Sequence, residues 1–443
     1  MPDKPASSYH ITVAPSGFKE SLSAHQAAEA MAKGIRRVAP GATLDLIPLV
    51  DGGEGTAEAL ATATGGHLVP LHATGPIGAP VRTHFALLGN GAVGAGQAGW
   101  AAGAAHVPTA VVEMAAVAGL SLVPRECRDP GMTTTYGVGQ LIRAALDAGA
   151  RRVLVGCGDS GTSDGGAGAL QALGARLLDG DGAELARGGH VLPALDRIDA
   201  SGLDPRLKDT ELLVACNPFN VLCGPTGVAR VFGPQKGATP EQVELLSHGL
   251  DRWAAVLERD VVSDPFGADL RSAPGTGASG GLGSGLAAVG ARLLPRFEVL
   301  LDHLDLDARL ARADLVLTAE GSLDHQTARG KIPAEVARRA KLYGKPVLAL
   351  AGTLGEGAGN TPGIDAYGSI LPAPLPLAEA LTHAPTYLAD ATEHAFRMVL
   401  LGTRLPLHPT SPVLGAGPTS PVLGAGRAES VGAPRADVGG VRG

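Results

Sequence analysis

The sequence predicts an α/β protein of two domains, one of them discontinuous, and three observations carry that prediction. Apolar runs of strand length at 10–14 and 44–50, and again at 315–318, 346–351 and 369–371, alternate with stretches of helical period. Alternation of this kind builds a doubly wound parallel sheet. Between the two groups, residues 67–290 change texture and carry strands and helices of their own, which reads as an inserted mixed α/β domain. The composition agrees, since 64 glycines, 45% apolar residues and only 3% aromatics suit Ala/Leu/Val cores joined by tight turns. The expected division is 8–66 with 291–402 for the discontinuous domain, 67–290 for the insertion and 403–443 for a tail.

Taken in order, His10–Ala14 is the first strand, followed by the turn PSGFKES. Ser23 and Gln26 form a capping-box pattern, and Ala28, Met31, Ile35 and Val38 then mark one helix face. Leu44–Val50 leads into Asp51-Gly52-Gly53-Glu54-Gly55-Thr56, and the helix through Leu60 stops at Gly65-Gly66, a glycine C-terminal cap. In the insertion, strands are expected at Val69–Leu71, Arg82–Leu88, Ala110–Met114, Val153–Val155 and Leu212–Cys216, with a Gly/Ala-rich excursion from Gly89 to Ala105. Helices are expected after Thr135, from Ala167, over Gln242–Leu257 and after the small-residue run Gly275–Gly285. Leu315–Thr318 precedes the loop AEGSLDHQT, a helix follows Gly330-Lys331, and Pro346–Ala351 runs into Gly352-Thr353-Leu354-Gly355. After Gly402 the chain repeats TSPVLGAG twice without a periodic apolar face, so the tail is expected to be disordered.

The central stretch is VLVGCGDSGTSDGGAGAL, Val153 to Leu170. A strand ending in a glycine- and hydroxyl-rich turn before a helix offers backbone N–H groups to an anion, and the helix end adds partial positive charge. Asp159 and Asp164 would repel a bare phosphate, so they point to a cation or to a proton to be taken. Lys19, Lys236 and Lys331 each stand in a glycine context near an acidic strand-end loop, an arrangement that suits a phosphate clamp. No G-x-x-x-x-G-K-[ST] occurs, and the two G-x-G-x-x-G matches, at 89–94 and 275–280, do not follow the first strand of a βαβ unit. A net charge of -7 without a basic, aromatic-laced cluster gives no footprint for nucleic acid, and no nucleic-acid partner is expected. The apolar stretch 92–123 is broken by His106, Pro108 and Glu113 and makes no membrane span. Four cysteines without a C-x-x-C pair, and no apolar leader, fit reduced thiols and a cytoplasmic location.

The segments APSGFKESLS, VDGGEGT, GTSDGGAG, VFGPQKGA, AEGSLDHQT and GKIP, in this order, resemble the bacterial type I glycerate kinases over Ile11 to Leu401. The resemblance implies a discontinuous flavodoxin-like domain with an inserted α/β domain. It also implies transfer of the ATP γ-phosphoryl group to D-glycerate with magnesium, usually giving 2-phosphoglycerate. Carried over residue by residue, Asp51, Gly52, Gly53 and Glu54 match the family's DGGEG, and Asp164, Gly165 and Gly166 match its second acidic glycine loop. Gln235 and Lys236 match PQKG, and Glu320, Gly321, Asp324, Gln326 and Thr327 match GEG-x-x-D-x-Q-T. Departures fall at Ser16-Gly17, where the family has Asp-Ser, at Asp159, where it has Gly, and at Asn217, where it has Asp.

With that chemistry, Lys19, Lys236 and Lys331 are expected on phosphate or carboxylate groups. Asp164 or Asp324 is expected to take magnesium or the hydroxyl proton, the choice between them being open. Ser21, Ser160, Gln235, Gln326 and Lys331 join the binding set with the glycines of the three loops. The expected partners are glycerate and ATP, with a homo-oligomer left open. Two other readings use the same scaffold: a non-catalytic binding relative, and a kinase for another small sugar acid.

Overall fold

A computed structural model of the chain describes residues 9–18, 21–89, 107–262, 269–300 and 304–405. The chain opens with β1 (His10–Val13), α1 (Ala24–Val38), β2 (Thr43–Leu46) and α2 (Thr56–Thr64). Next come β3 (His67–Thr74), β4 (Pro80–Leu87), β5 (Thr109–Glu113), α3 (Ala115–Ala118), α4 (Tyr136–Asp147), β6 (Arg152–Gly156) and α5 (Ala167–Ala172). A small hairpin, β7 (Arg176–Leu178) and β8 (Arg197–Asp199), precedes β9 (Glu211–Cys216), α6 (Val228–Phe232), α7 (Pro240–Asp260), α8 (Ala278–Ala288) and β10 (Arg292–Pro295). The last part holds α9 (Arg296–Leu300), α10 (Leu306–Arg312), β11 (Leu315–Leu323), α11 (Ile332–Leu342), β12 (Val347–Leu354), β13 (Ala366–Ser369) and α12 (Leu377–Gly402).

Strands from both ends of the chain share one fully parallel sheet, in the order β13-β12-β11-β1-β2. Counted along the chain this is the 2-1-3-4-5 arrangement of a flavodoxin-like doubly wound sheet. The second sheet runs β10-β9-β6-β5-β4-β3, parallel from β5 to β10 and antiparallel at β4 and β3. β10 pairs with β9 although it lies beyond the boundary expected at residue 290.

Local chemistry sets the element ends. Ser23 Oγ accepts from Gln26 N at 3.2 Å and Gln26 Oε1 accepts from Ser23 N at 2.9 Å, so the capping box opens α1 as its sequence demands. Gly65, at φ 68°, closes α2 by donating to Ala61 O and Thr62 O. β2 stops at Leu46, sooner than expected, while Ile47 N and Leu49 N continue to Val13 O and Pro15 O at 2.9 Å each. β11 and β12 run longer than expected because their pairing continues to Leu323 and Leu354. Glu320 and Gly321 therefore lie on a strand rather than in a loop. The last strand falls at 366–369 instead of 369–371.

An apolar cluster draws Ile47, Leu49 and Leu60 together with Val111, Leu154 and Leu213, joining the two sheets through shared burial. A second cluster packs α1 and α12 on the first sheet, and a third packs α4, α5, α7 and α8 on the second. Lys19, most of the Gly/Ala-rich excursion and the tail from residue 406 lie outside the described residues.

Candidate active site

In an open α/β sheet, ligands collect beyond the carboxyl ends of the strands. Here those ends meet. Gly52 sits at φ 90°, and a Cβ there would come within 2.9 Å of Cys157 N at the end of β6. A Cβ on Gly53 would strike the Asp159 carboxylate, and one on Gly158 would come 2.6 Å from Gly53 Cα. Only glycine allows the DGGEG turn of the first sheet to lie this close to the central loop of the second. Asp159, at φ 51°, holds a left-handed conformation that costs a non-glycine residue about 1–2 kcal/mol.

The central loop is built around Asp164, which is fully buried. Its carboxylate accepts from Thr135 N at 2.8 Å and Thr135 Oγ1 at 2.9 Å, at the start of α4. It also accepts from Gly166 N at 3.2 Å and Gly168 N at 3.3 Å, at the start of α5. Burial pushes its pKa up against the pull of these donors. The carboxylate thus ties two helix N-termini together. Gly165 (φ 68°) and Gly166 (φ 84°) make the bend, and Trp253 Nε1 donates to Gly165 O at 2.8 Å.

Lys236 arrives on a short 3₁₀ turn, Pro234–Lys236, and is 2% exposed. Its Nζ donates to Thr162 O at 2.7 Å and to Ser160 Oγ at 2.9 Å. Burial depresses its pKa to about 7, with the nearby Asp164 acting in the opposite direction. On the loop that accepts it, Thr162 Oγ1 and Ser163 Oγ are buried and make no hydrogen bond among the described residues. Orphaned buried hydroxyls on a loop that holds a desolvated ammonium form an incomplete polar cradle whose chemistry suits an anion.

A second polar group lies at the ends of β11 and β12. Glu320, 6% exposed, accepts from Thr327 Oγ1 at 2.6 Å, and burial pushes its pKa up. Lys331 Nζ donates to Ser322 O at 3.1 Å and Asp324 Oδ1 at 3.2 Å, and stands 3.6 Å from Glu320 Oε2. Asp324 is half-buried and also accepts from Gln326 N at 2.8 Å and Ser322 Oγ at 3.1 Å. Burial raises its pKa, but the amide of Gln326 and the Lys331 ammonium outweigh that and hold it below the usual carboxylate range.

Arg296, the first residue of α9 just past β10, connects the groups. It donates to Asp51 Oδ2 at 3.2 Å and to Gly330 O, beside Lys331. Glu54, Gln235 and Gln326 are exposed, and Gly321 is half-buried on β11. The Ser21 hydroxyl donates to Leu381 O of α12 at 2.9 Å. Of the departures, Ser16 Oγ donates to Ala319 O at 3.0 Å, and Asn217 Oδ1 accepts from Phe219 N at 3.1 Å to shape its own turn. Glu113 and Arg296 escaped the sequence reading. Glu113 closes β5 and Arg296 directly follows β10, both in the parallel part of the second sheet, which is the positional signal that could have found them.

A doubly wound sheet joined to a second α/β layer, with acid–lysine groups and a buried lysine beside hydroxyls at the strand ends, has the chemistry that phosphoryl transfer needs. The family model described as the glycerate kinase family matches residues 11–400, and the chain belongs to that family. It is an enzyme of the family, an ATP-dependent kinase of glycerate. The glycerate kinase of Bacillus subtilis is 45% identical over 381 residues, 85% of this chain and 94% of that protein. The glycerate 2-kinase of Escherichia coli is 41% identical over 397 residues, 89% and 99%. A crystal structure of a putative glycerate kinase 2 from Salmonella typhimurium LT2 superposes with a TM-score of 0.70 at 42% identity, covering 90% of this chain and all of that one. Among the described residues no helix is long and apolar enough to cross a membrane.

Proposed function

We propose that this kinase phosphorylates the 2-hydroxyl of D-glycerate to give 2-phosphoglycerate, in the cytoplasm, with the central loop as its phosphate cradle. The observation that carries the reading is Lys236, whose buried ammonium sits against Ser160 and Thr162 on a loop with two unpaired hydroxyls. Phosphoryl transfer passes through a loose transition state with charge spread over the equatorial oxygens, so its catalysis is largely positioning and charge stabilisation. Lys236 with the Thr162 and Ser163 hydroxyls holds the moving phosphoryl group. Lys331 and Arg296 shape the opposite wall, where Asp51, Glu320 and Asp324 are fixed. Lys19 belongs to the same set by its motif, and Asp164 acts by holding the loop that carries the cradle.

Magnesium in kinase sites is bound by one or two carboxylates with substrate phosphates and water completing the shell. Among the described residues no cluster of three or more His, Cys, Asp or Glu is preformed for a metal, which fits an ion arriving with the nucleotide. Asp324 would hold it, since its carboxylate is ionised and half-exposed whereas Asp164 is enclosed. When bound, the ion neutralises phosphate charge. Incubation with ATP, magnesium and D-glycerate, followed by phosphorus NMR of the product, tests the reading. A 2-phospho product is expected; 3-phosphoglycerate refutes the assigned hydroxyl, and turnover of another sugar acid alone refutes the substrate.

A further inference from the structure

Glu113 ends β5, in the second sheet, and is 3% exposed. Its Oε1 accepts from Gly55 N and its Oε2 from Ala57 N, both at 3.1 Å. Those amides open α2, which follows the first sheet, and the preceding residues are the DGGEG turn. Gly55, at the cap position with φ 87°, has no side chain to satisfy them. A carboxylate from another sheet therefore supplies the missing cap, favoured by the helix dipole. Glu113 is also in register with Gly156 on β6, so the turn is anchored on the strand beside the one that launches the central loop.

We propose that Glu113 is a positioning residue for the glycerate kinase reaction: ionised, it fixes the DGGEG turn across the two sheets, and protonated, it lets that turn loosen and the reaction slow. The inference rests on the kinase reading above. Protonation removes the carboxylate's charge and puts a hydrogen on one oxygen, so the amide facing that oxygen keeps only a weaker, neutral acceptor. Burial pushes the Glu113 pKa up to about 7 against the pull of the helix amides, and Glu54 on the same turn adds like charge. The other charged groups around the turn are Asp51, paired with Arg296, Asp159 over Gly53, and the exposed Glu58 in the first turn of α2.

Glu113→Gln in the full-length chain imitates the protonated form at every pH. Steady-state kinetics with ATP, magnesium and D-glycerate from about pH 5.5 to about pH 8.5 should give the wild type an acid limb centred near the Glu113 pKa, beside an alkaline limb from loss of the Lys236 proton that wild type and variant share. The variant should lack that limb, with kcat about tenfold or more below wild type at the alkaline end and converging with it at the acid end. A variant that keeps the wild-type limb, or matches wild type at the alkaline end, overturns the proposal. Amide hydrogen exchange on the wild type adds an independent arm. Gly55 and Ala57 should lose protection on acidification after correction for intrinsic rates, and unchanged protection overturns the proposal even where the variant fails to fold. Wild type that phosphorylates no glycerate at any pH overturns the kinase reading itself, and the exchange arm then decides the anchoring alone.

Discussion

Lys236→Met removes the buried ammonium while keeping most of its apolar stem, and its effect on stability depends on pH in a way the structure dictates. The lysine pKa falls from 10.5 to about 7 on folding. At 1.36 kcal/mol per unit, that difference of 3.5 units corresponds to about 5 kcal/mol of penalty on the charged form in the folded state. Below pH 7 both folded and unfolded chains carry the proton. Between the two pKa values the unfolded chain binds more protons than the folded one, so wild-type stability rises with pH through that window. Two units into it, near pH 9, the wild type should have gained about 3 kcal/mol over the variant relative to their difference at about pH 6. Urea unfolding of both proteins at the two pH values measures this directly. A difference that stays constant within about 1 kcal/mol, or moves the other way, refutes the desolvated lysine. The variant, still folded, should also lose about a hundredfold or more in turnover, as removal of a donor to a developing anion does elsewhere.

Asp324→Asn should melt like the wild type, because the side chain is half-buried on a strand end, yet lose about a hundredfold in turnover; a melting scan and a coupled assay separate the two effects. Arg296→Met should lower kcat/KM about tenfold by freeing Asp51 from Gly330, with little change in fold by circular dichroism; unchanged kinetics would show that the bridge is incidental. Gly34→Ala should destabilise by about 1–3 kcal/mol without touching kinetics, since its Cβ would collide with Ala389 O of α12, and an unchanged urea midpoint would contradict that packing.

The framework of this molecule was legible because its signals are local. The Ser23/Gln26 capping box, the Gly65 stop and the strand of the central stretch each depend on a few neighbouring residues, and each appears where the sequence puts it. Assigning roles to the acids was harder, because a role depends on what surrounds a carboxylate rather than on the glycines beside it. Asp164 and Asp324 look alike in sequence, each an acid in a glycine loop. One is enclosed by donors at two helix ends, while the other is half-exposed with a lysine on one oxygen. The extension of β11 past Thr318 was invisible for the same reason, since polar Glu320 and Ser322 read as loop until the partner strand β12 supplies their pairing. Glu113 shows the principle most sharply. Within its own strand, TAVVE, it is a terminal acid of no special pattern, and it becomes a cap only because a helix some 56 residues earlier in the chain presents bare amides to it. Buried polar groups must find partners, so what they do is set by tertiary placement, and a sequence reading can nominate such residues only by asking which strand ends the fold brings to the same edge.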